Sequence, residues 1–511
     1  MAKHTTKHAT ASRSAATVVF LAGCILLLSR AQAREAPQWR VLPFEMPDIA
    51  PLQADAVTER KVEILIASLA EIDKPDIGFS PTLSGADFPP VAGAARRGCQ
   101  LITQHVIERK DAVTRLVRLG PAALPALLKH LGDATPTKLT MTHRSGIGGM
   151  WYSSELPTNA ALEEETRLRD DAGLRTGPQD LSSHSDDYTD THVVTVGDVC
   201  FVIVGMITNR AYETVRYQPS SCIVVNSPIR EPRLGAAVRK MWSSGDARRE
   251  LYSRLMRDFH TRGRGSGRIQ AGAAMRLLYY FPKETARLVA ERLRKLDVKT
   301  PPRKSGGEVI ARFKRNGVPE STLIEAVAWC REPRVVQELR NIAAVSNDSD
   351  IVASASPAMV GDGEAWFLAK LRRIFEEESR KYPYANSTSC DLLKAIAAIY
   401  PEKIETVCRE YVAAGEQTIA VNLLMFCRMG RADLAPSVLA PLLDDTNESG
   451  YREVARGEST NITLRLPVRI CDRAHFVISR SLGDGEARIS GTIEEMDARI
   501  AELKRRLRAR E

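Results

Sequence analysis

Residues 109–133 read RKDAVTRLVRLGPAALPALLKHLGD. Before the Gly-Pro pair, Val113, Leu116, Val117 and Leu119 gather on one side; after it, Leu124, Leu127, Leu128 and Leu131 do the same. Each half has the i, i+3, i+4, i+7 spacing of an amphipathic helix. Gly120 stops the first helix because glycine accepts a left-handed terminal conformation, and Pro121 suits the first turn of the second. Two helices joined so tightly lie antiparallel. Neither covers its apolar face alone, so the pair needs stacked neighbours.

The pattern recurs further along. Pro436–Asp444 (PSVLAPLLD) aligns with Pro125–Asp133 (PALLKHLGD). AAMRLLYYFPKETARLVAERL from Ala273 echoes LLKAIAAIYPEKIETVCREYV from Leu392, and Pro282 and Pro401 lie 119 residues apart. That separation is close to three periods of about 40. A third echo links the stretch from Val196 to Cys200 with the stretch from Pro467 to Ala474. In it, Asp198 and Asp472 read as acids at helix N-termini, accepting backbone N–H bonds or countering the helix dipole. These segments resemble exported bacterial HEAT-like (armadillo-type) repeat proteins: a helix, Leu-Gly, then x-Pro-x-Leu-Leu-x-x-Leu-x-Asp. The resemblance implies a mainly α fold, a HEAT-like α-solenoid of stacked helix pairs with irregular loop insertions. It also implies an extended surface for a partner.

The expected layout is a signal peptide at 1–33, an N-terminal extension with a first helix at 34–90, and a helix pair at 91–133. A polar insertion follows at 134–192, then a helical region at 193–345 with a Pro-rich loop at 211–234. A linker at 346–363 leads to C-terminal repeats at 364–490 and an amphipathic helix at 491–511. The leader expectation rests on Lys3, Lys7 and Arg13 ahead of the apolar run Ala15–Leu28, closed by Ala31-Gln32-Ala33. This is the layout of a signal peptide cleaved after Ala33, implying a periplasmic or extracellular protein. A competing pattern, Leu21-Ala22-Gly23-Cys24, resembles a lipobox and would make the chain a lipoprotein anchored at Cys24.

Net charge is +9, and Lys3, Lys7, Arg13 and Arg30 account for four of it, leaving a mild +5 beyond the leader. So diffuse an excess, on an exported chain, argues against a nucleic-acid partner. Eight of nine cysteines follow the leader, mostly inside apolar helical patterns, and read as buried thiols; no CxxC occurs.

G-x-S-x-G, HExxH, Walker A and Rossmann patterns are all missing from the sequence. His184, Asp186, Asp187, Asp190 and His192 have ligand-type side chains, yet the spacing fits a solvated loop as well, and neither a metal nor a cofactor is assigned. The basic stretch 239–268, including Arg262-Gly-Arg264-Gly-Ser-Gly-Arg268, offers guanidinium groups to an acidic polymer. Asn209, Arg210, Arg216, Tyr217, Gln218 and Asn226 form the candidate ligand-binding set, because such residues on a loop held by rigid helices make a recognition surface; they could equally hold the loop itself. The function expected is a non-catalytic exported scaffold or recognition module that binds a protein partner or an extended polymer through its helical-repeat surface. An enzyme with its site within 140–230, or a cell-envelope tether, are the alternatives.

Ile493, Met496, Ile500, Leu503 and Leu507 step by three and four residues. That a/d seam predicts a short coiled coil, with a homodimer, a partner helix or the chain's own last repeat covering it.

Overall fold

A computed structural model describes residues 39–46, 49–51, 55–73, 88–91, 112–142, 149–156, 163–174, 188–189, 191–217, 223–263, 266–299, 320–361, 364–382, 385–455 and 463–510. The leader with Cys24, His143, His184, Asp186, Asp187, Asp190, Gln218 and Arg264 lie outside these residues.

The described chain is mainly helical. After β1 (Arg40–Val41) come α1 (Ala56–Ala67), α2 (Ala112–Leu119) and α3 (Leu124–Lys129). Gly120 has φ 55, the left-handed value expected of a helix stop, and a Cβ there would collide with the Tyr280 ring. The Tyr280 hydroxyl donates to the Val117 carbonyl at 2.6 Å, so the α2–α3 corner is locked from outside as well as by its own sequence.

The expected polar insertion carries regular structure: β2 (Pro136–Thr142), β3 (Met150–Tyr152), α4 (Glu163–Asp171), β4 (Tyr188–Thr189) and β5 (Thr191–Thr195). Leu139 and Met141 alternate with exposed Lys138, Thr140 and Thr142, and buried His192 and Val194 with exposed Thr191 and Val193, which lets β2 and β5 pair antiparallel with one face buried. Next come α5 (Val196–Thr208), β6 (Val215–Tyr217) and β7 (Ile223–Val225). β7 is buried throughout and pairs parallel with β3, giving the sheet order β4-β3-β7-β6. The Pro-rich loop and the insertion are thus one small sheet rather than two excursions.

The remaining elements are α6 (Pro232–Met241), α7 (Ala247–His260), β8 (Thr261–Arg262), α8 (Gly267–Tyr280), α9 (Pro282–Arg294), α10 (Glu320–Val327), α11 (Pro333–Val345) and α12 (Ser349–Ala355). Then follow α13 (Ala365–Lys381), α14 (Ser387–Ile399), α15 (Ile404–Ala413), α16 (Gln417–Met429), α17 (Ala435–Leu439), β9 (Glu448–Ala455), β10 (Thr463–Arg469), α18 (Ile470–Ser481) and α19 (Ile493–Arg508). Helix α12 corrects the linker expected at 346–363. Its Asp348 side chain accepts the Ile351 N–H at 3.1 Å, so the Ser-Asp content that looked like a loop is a helix cap over buried Ile351, Val352 and Ala355. Helices α8, α10, α12, α14, α16 and α18 pack each on the next, while α9 packs on α11 and α15 on α17.

Of the covers expected for the C-terminal seam, the chain's own last repeat supplies one. Met496, Ile500 and Leu503 of α19 are buried within the chain against α18 and the turn at 440–444, leaving Ile493 half exposed. Arg469 reaches Asp497 at 2.6 Å and Lys504 pairs with Asp444, so charges fix the same docking. A helix this short is marginal alone in water, and α18 is the nearest apolar face. The unmodified protein is expected to sediment as a monomer. Ile500→Asp with Leu503→Asp should lower stability by several kcal/mol, because two carboxylates enter an apolar contact; thermal unfolding and sedimentation together check this.

Candidate functional site

All thirteen residues of α5 are buried, since it runs between α2, α3 and α7. A helix buried along its whole length must still satisfy its end groups and neutralise its dipole. Two polar clusters do so, one at each end.

At the N-terminal end, Thr195 and Asp198 form a capping box. Asp198 Oδ2 accepts the Thr195 N–H at 3.0 Å and lies 3.0 Å from His192 Nε2. His192 Nδ1 is 3.4 Å from the Tyr152 hydroxyl, and the Arg230 guanidinium sits 4.0 Å above the Tyr152 ring. Burial raises the Tyr152 pKa, against the pull of Arg230. Thr214 donates its hydroxyl to the Asp198 carbonyl, and the Asn226 N–H donates to the Thr214 carbonyl at 2.6 Å. This chain can hold a proton between phenol, imidazole and carboxylate, which is the most chemistry the region offers.

At the other end, Asn209 takes the left-handed conformation at φ 62 and closes the helix. Arg210 donates from Nη1 to the Thr208 and Asn209 carbonyls at 3.1 and 3.2 Å and to Asp258 Oδ2 at 2.5 Å. Its Nε donates to Glu165 Oε1 at 2.6 Å. Arg276 donates from Nε to the Met206 carbonyl at 2.6 Å and from Nη1 to Asn209 Oδ1 at 3.1 Å. Asn209 Nδ2 completes the circuit on Asp258 and the Ile269 carbonyl. Only glycine fits at 272, where a Cβ would meet Asn209 Oδ1. Burial pushes the Glu165 and Asp258 carboxyls above their ordinary range, with Arg210 opposing it. The Arg210 guanidinium, which burial alone would depress, is held charged by Asp258 and Glu165.

Of the candidate ligand-binding residues, Asn209, Arg210 and Asn226 are buried; the Asn209 and Arg210 side chains bond within the fold, whereas Asn226 Nδ2 and Oδ1 have no hydrogen-bond partner among the described residues. Arg216 and Tyr217 lie in β6, and Gln218 is outside the described residues. Glu165, Asp258 and Arg276, which complete the cluster, sit in helices where the sequence makes them look like ordinary surface charges. In the basic stretch, Arg248 pairs with Glu284, Arg254 with Glu250, and Arg257 with Glu164. Those guanidiniums are committed within the chain. Six described cysteines are buried free thiols, and among the described residues no group of three His, Cys, Asp or Glu is placed to hold a metal.

The α3-to-α5 connection is built twice. In the first copy Thr135 N–H donates to Asp133 Oδ1 at 3.0 Å, Gly197 N–H to the Asp133 carbonyl at 2.9 Å, and Val196 N–H to the Thr135 carbonyl at 2.9 Å. In the second, Asn447, Cys471 and Ile470 make the same bonds to Asp445, Asp445 and Asn447, all at 2.9 Å. Both copies put an antiparallel ribbon between the two helices, β2–β5 in one and β9–β10 in the other. The structural partner of Asp133 is therefore Asp445, one residue beyond the Asp444 of the sequence alignment. Asp472 repeats the capping role of Asp198, but its basic neighbour is Arg469, at 2.8 Å, rather than a histidine. No protein-family model, curated protein or solved structure matches the chain.

Replacing Arg210 by Met strands two buried carboxyls, and a loss of about 3–5 kcal/mol is expected. Combining it with Glu165→Gln and Asp258→Asn should recover much of that loss; urea unfolding of the single and triple variants checks both.

Proposed function

We propose that this protein is a non-catalytic scaffold or recognition module of the HEAT-like α-solenoid kind, acting outside the cytoplasm and binding a partner protein through its stacked helices. The observation that carries this reading is the packing of α8, α10, α12, α14, α16 and α18 each on the next. Such stacking generates a long, nearly repetitive surface, the usual working face of a repeat protein. The duplicated helix–ribbon–helix unit supports it, because repetition of one build is how such arrays arise.

Exposed apolar side chains lie on and between α11 and α13. Val345 and Trp366 are 47% and 44% exposed there, and Val360 in the intervening segment is 48% exposed. Lys370 donates to the Ala343 and Ala344 carbonyls at 2.8 and 2.7 Å, tying the first turns of α13 to the last turn of α11. An exposed tryptophan on a rigid helix is a favoured anchor for a protein partner. The full chain should capture a defined protein from the exported fraction, and Trp366→Ser should reduce that capture at least tenfold with unchanged helicity. Equal capture by the variant, or recovery of a polysaccharide in place of protein, would reject the reading.

The enzyme alternative rests on the Asp198–His192–Tyr152 chain. Turnover that disappears in His192→Gln while the unfolding midpoint is retained would favour it over the scaffold.

A further inference from the structure

Helix α7 packs on α8 and α8 on α9, with connections short enough to reverse the chain each time. The end of α7, the start of α8 and the end of α9 therefore meet at one edge of the stack. Strand β1 adds to that edge: it pairs antiparallel with β8, the Leu42 N–H donates to the His260 carbonyl at 3.0 Å, and Phe44 stacks on the His260 ring at 4.7 Å.

This ribbon sets Arg40 directly opposite Arg262, although like charges facing each other across a strand pair repel. Arg292, in the last turn of α9, adds a third guanidinium. Burial, and then the Arg292 charge, lower the Arg262 pKa to about 10. The group stays charged at neutral pH, at a cost that an anion would relieve. Arg262 and Arg292 are half-buried, so water screens them less than it would on an open surface.

Arg40 has no hydrogen-bond or ion-pair partner among the described residues. Arg262 donates from Nη1 to the Phe259 and Thr261 carbonyls at 2.8 and 2.9 Å. Its Nε and Nη2, the two donors along one edge of the guanidinium, have no partner among the described residues. The first turn of α8 follows directly and carries no acid; its Arg268 is a further base where the helix dipole favours an anion. Setting arginine against arginine breaks local consistency, and such breaks are expected where a ligand binds.

We propose that Arg40, Arg262 and Arg292 hold a dianionic phosphate group, carried by a small soluble ester or by a lipid headgroup. Arg40 and the free edge of Arg262 each offer two parallel N–H donors to phosphate oxygens, and Arg292 adds charge. Two negative charges offset the repulsion among three guanidiniums better than one. The site uses none of the residues at Trp366 and stands or falls separately from the scaffold reading.

Titration calorimetry of the full chain with inorganic phosphate, with acetate at equal ionic strength as the monoanion control, tests the proposal. Saturable 1:1 binding of phosphate is expected, at least tenfold weaker in Arg40→Gln, with no saturation by acetate. Arg40 is exposed, so that variant should fold normally, and circular dichroism verifies it. Arg508→Gln, which removes an exposed arginine of α19, should bind phosphate as tightly as the unmodified chain. Co-sedimentation with phosphatidylcholine vesicles containing phosphatidic acid separates the two sources: pelleting that Arg40→Gln abolishes assigns the headgroup, and a chain that binds phosphate but stays in solution assigns the soluble ester. Failure of phosphate to saturate, equal binding of acetate, full affinity in Arg40→Gln or an equal loss in Arg508→Gln would overturn the proposal.

Discussion

The N-terminal half depends on burying a helix end without leaving it charged and alone. Helix α5 is covered on every side, so its C-terminal carbonyls cannot turn to water. Arg210 and Arg276 satisfy them, and once those guanidiniums are buried, Glu165 and Asp258 must come with them. Each step follows from the high cost of an unpaired buried charge. The consequence reaches far along the chain: α4, α5, α7 and α8 all contribute a member of one network. An insertion that reads as decoration thereby supplies a counterion to the core.

Duplication separates the general from the particular. Asp133 and Asp445 organise the same turn, Asp198 and Asp472 cap the same helix, and an antiparallel ribbon separates the helices in both units. These shared features belong to the build. The copies differ in the base that faces the capping acid: a permanently charged arginine in one and a histidine joined to tyrosine in the other. The histidine adds a titratable group where the fold alone would accept a fixed charge, which is why the enzyme alternative centres there.

The C-terminal end shows how a local pattern can have several partners. An a/d seam specifies that one helix face will be covered, and a second copy, another protein and the chain itself can each cover it. Helix α18 is joined to α19 by a short connection, so its apolar face has a far higher effective concentration than any second molecule. Asp444 and Asp497 then fix the registry through Lys504 and Arg469.

The sequence by itself determined the helical character, the α2–α3 corner at Gly120-Pro121, the capping roles of Asp198 and Asp472 and the apolar seam of α19. All are local: they depend on side-chain periodicity within a few turns, or on one residue's backbone freedom, and both can be read from neighbours in the chain. Tertiary structure alone decided that Arg210 faces inward, because its partners Glu165 and Asp258 are 45 and 48 residues away and look like surface charges in their own helices. It also decided that the insertion and the Pro-rich loop share one sheet, since a parallel pairing between β3 and β7 leaves no local signature. Ser-Asp-rich residues before α12 read equally as loop or cap until the apolar face beyond them has something to pack on. Burial is a property of the whole fold, and a polar residue changes from recognition surface to core strut according to what is folded over it.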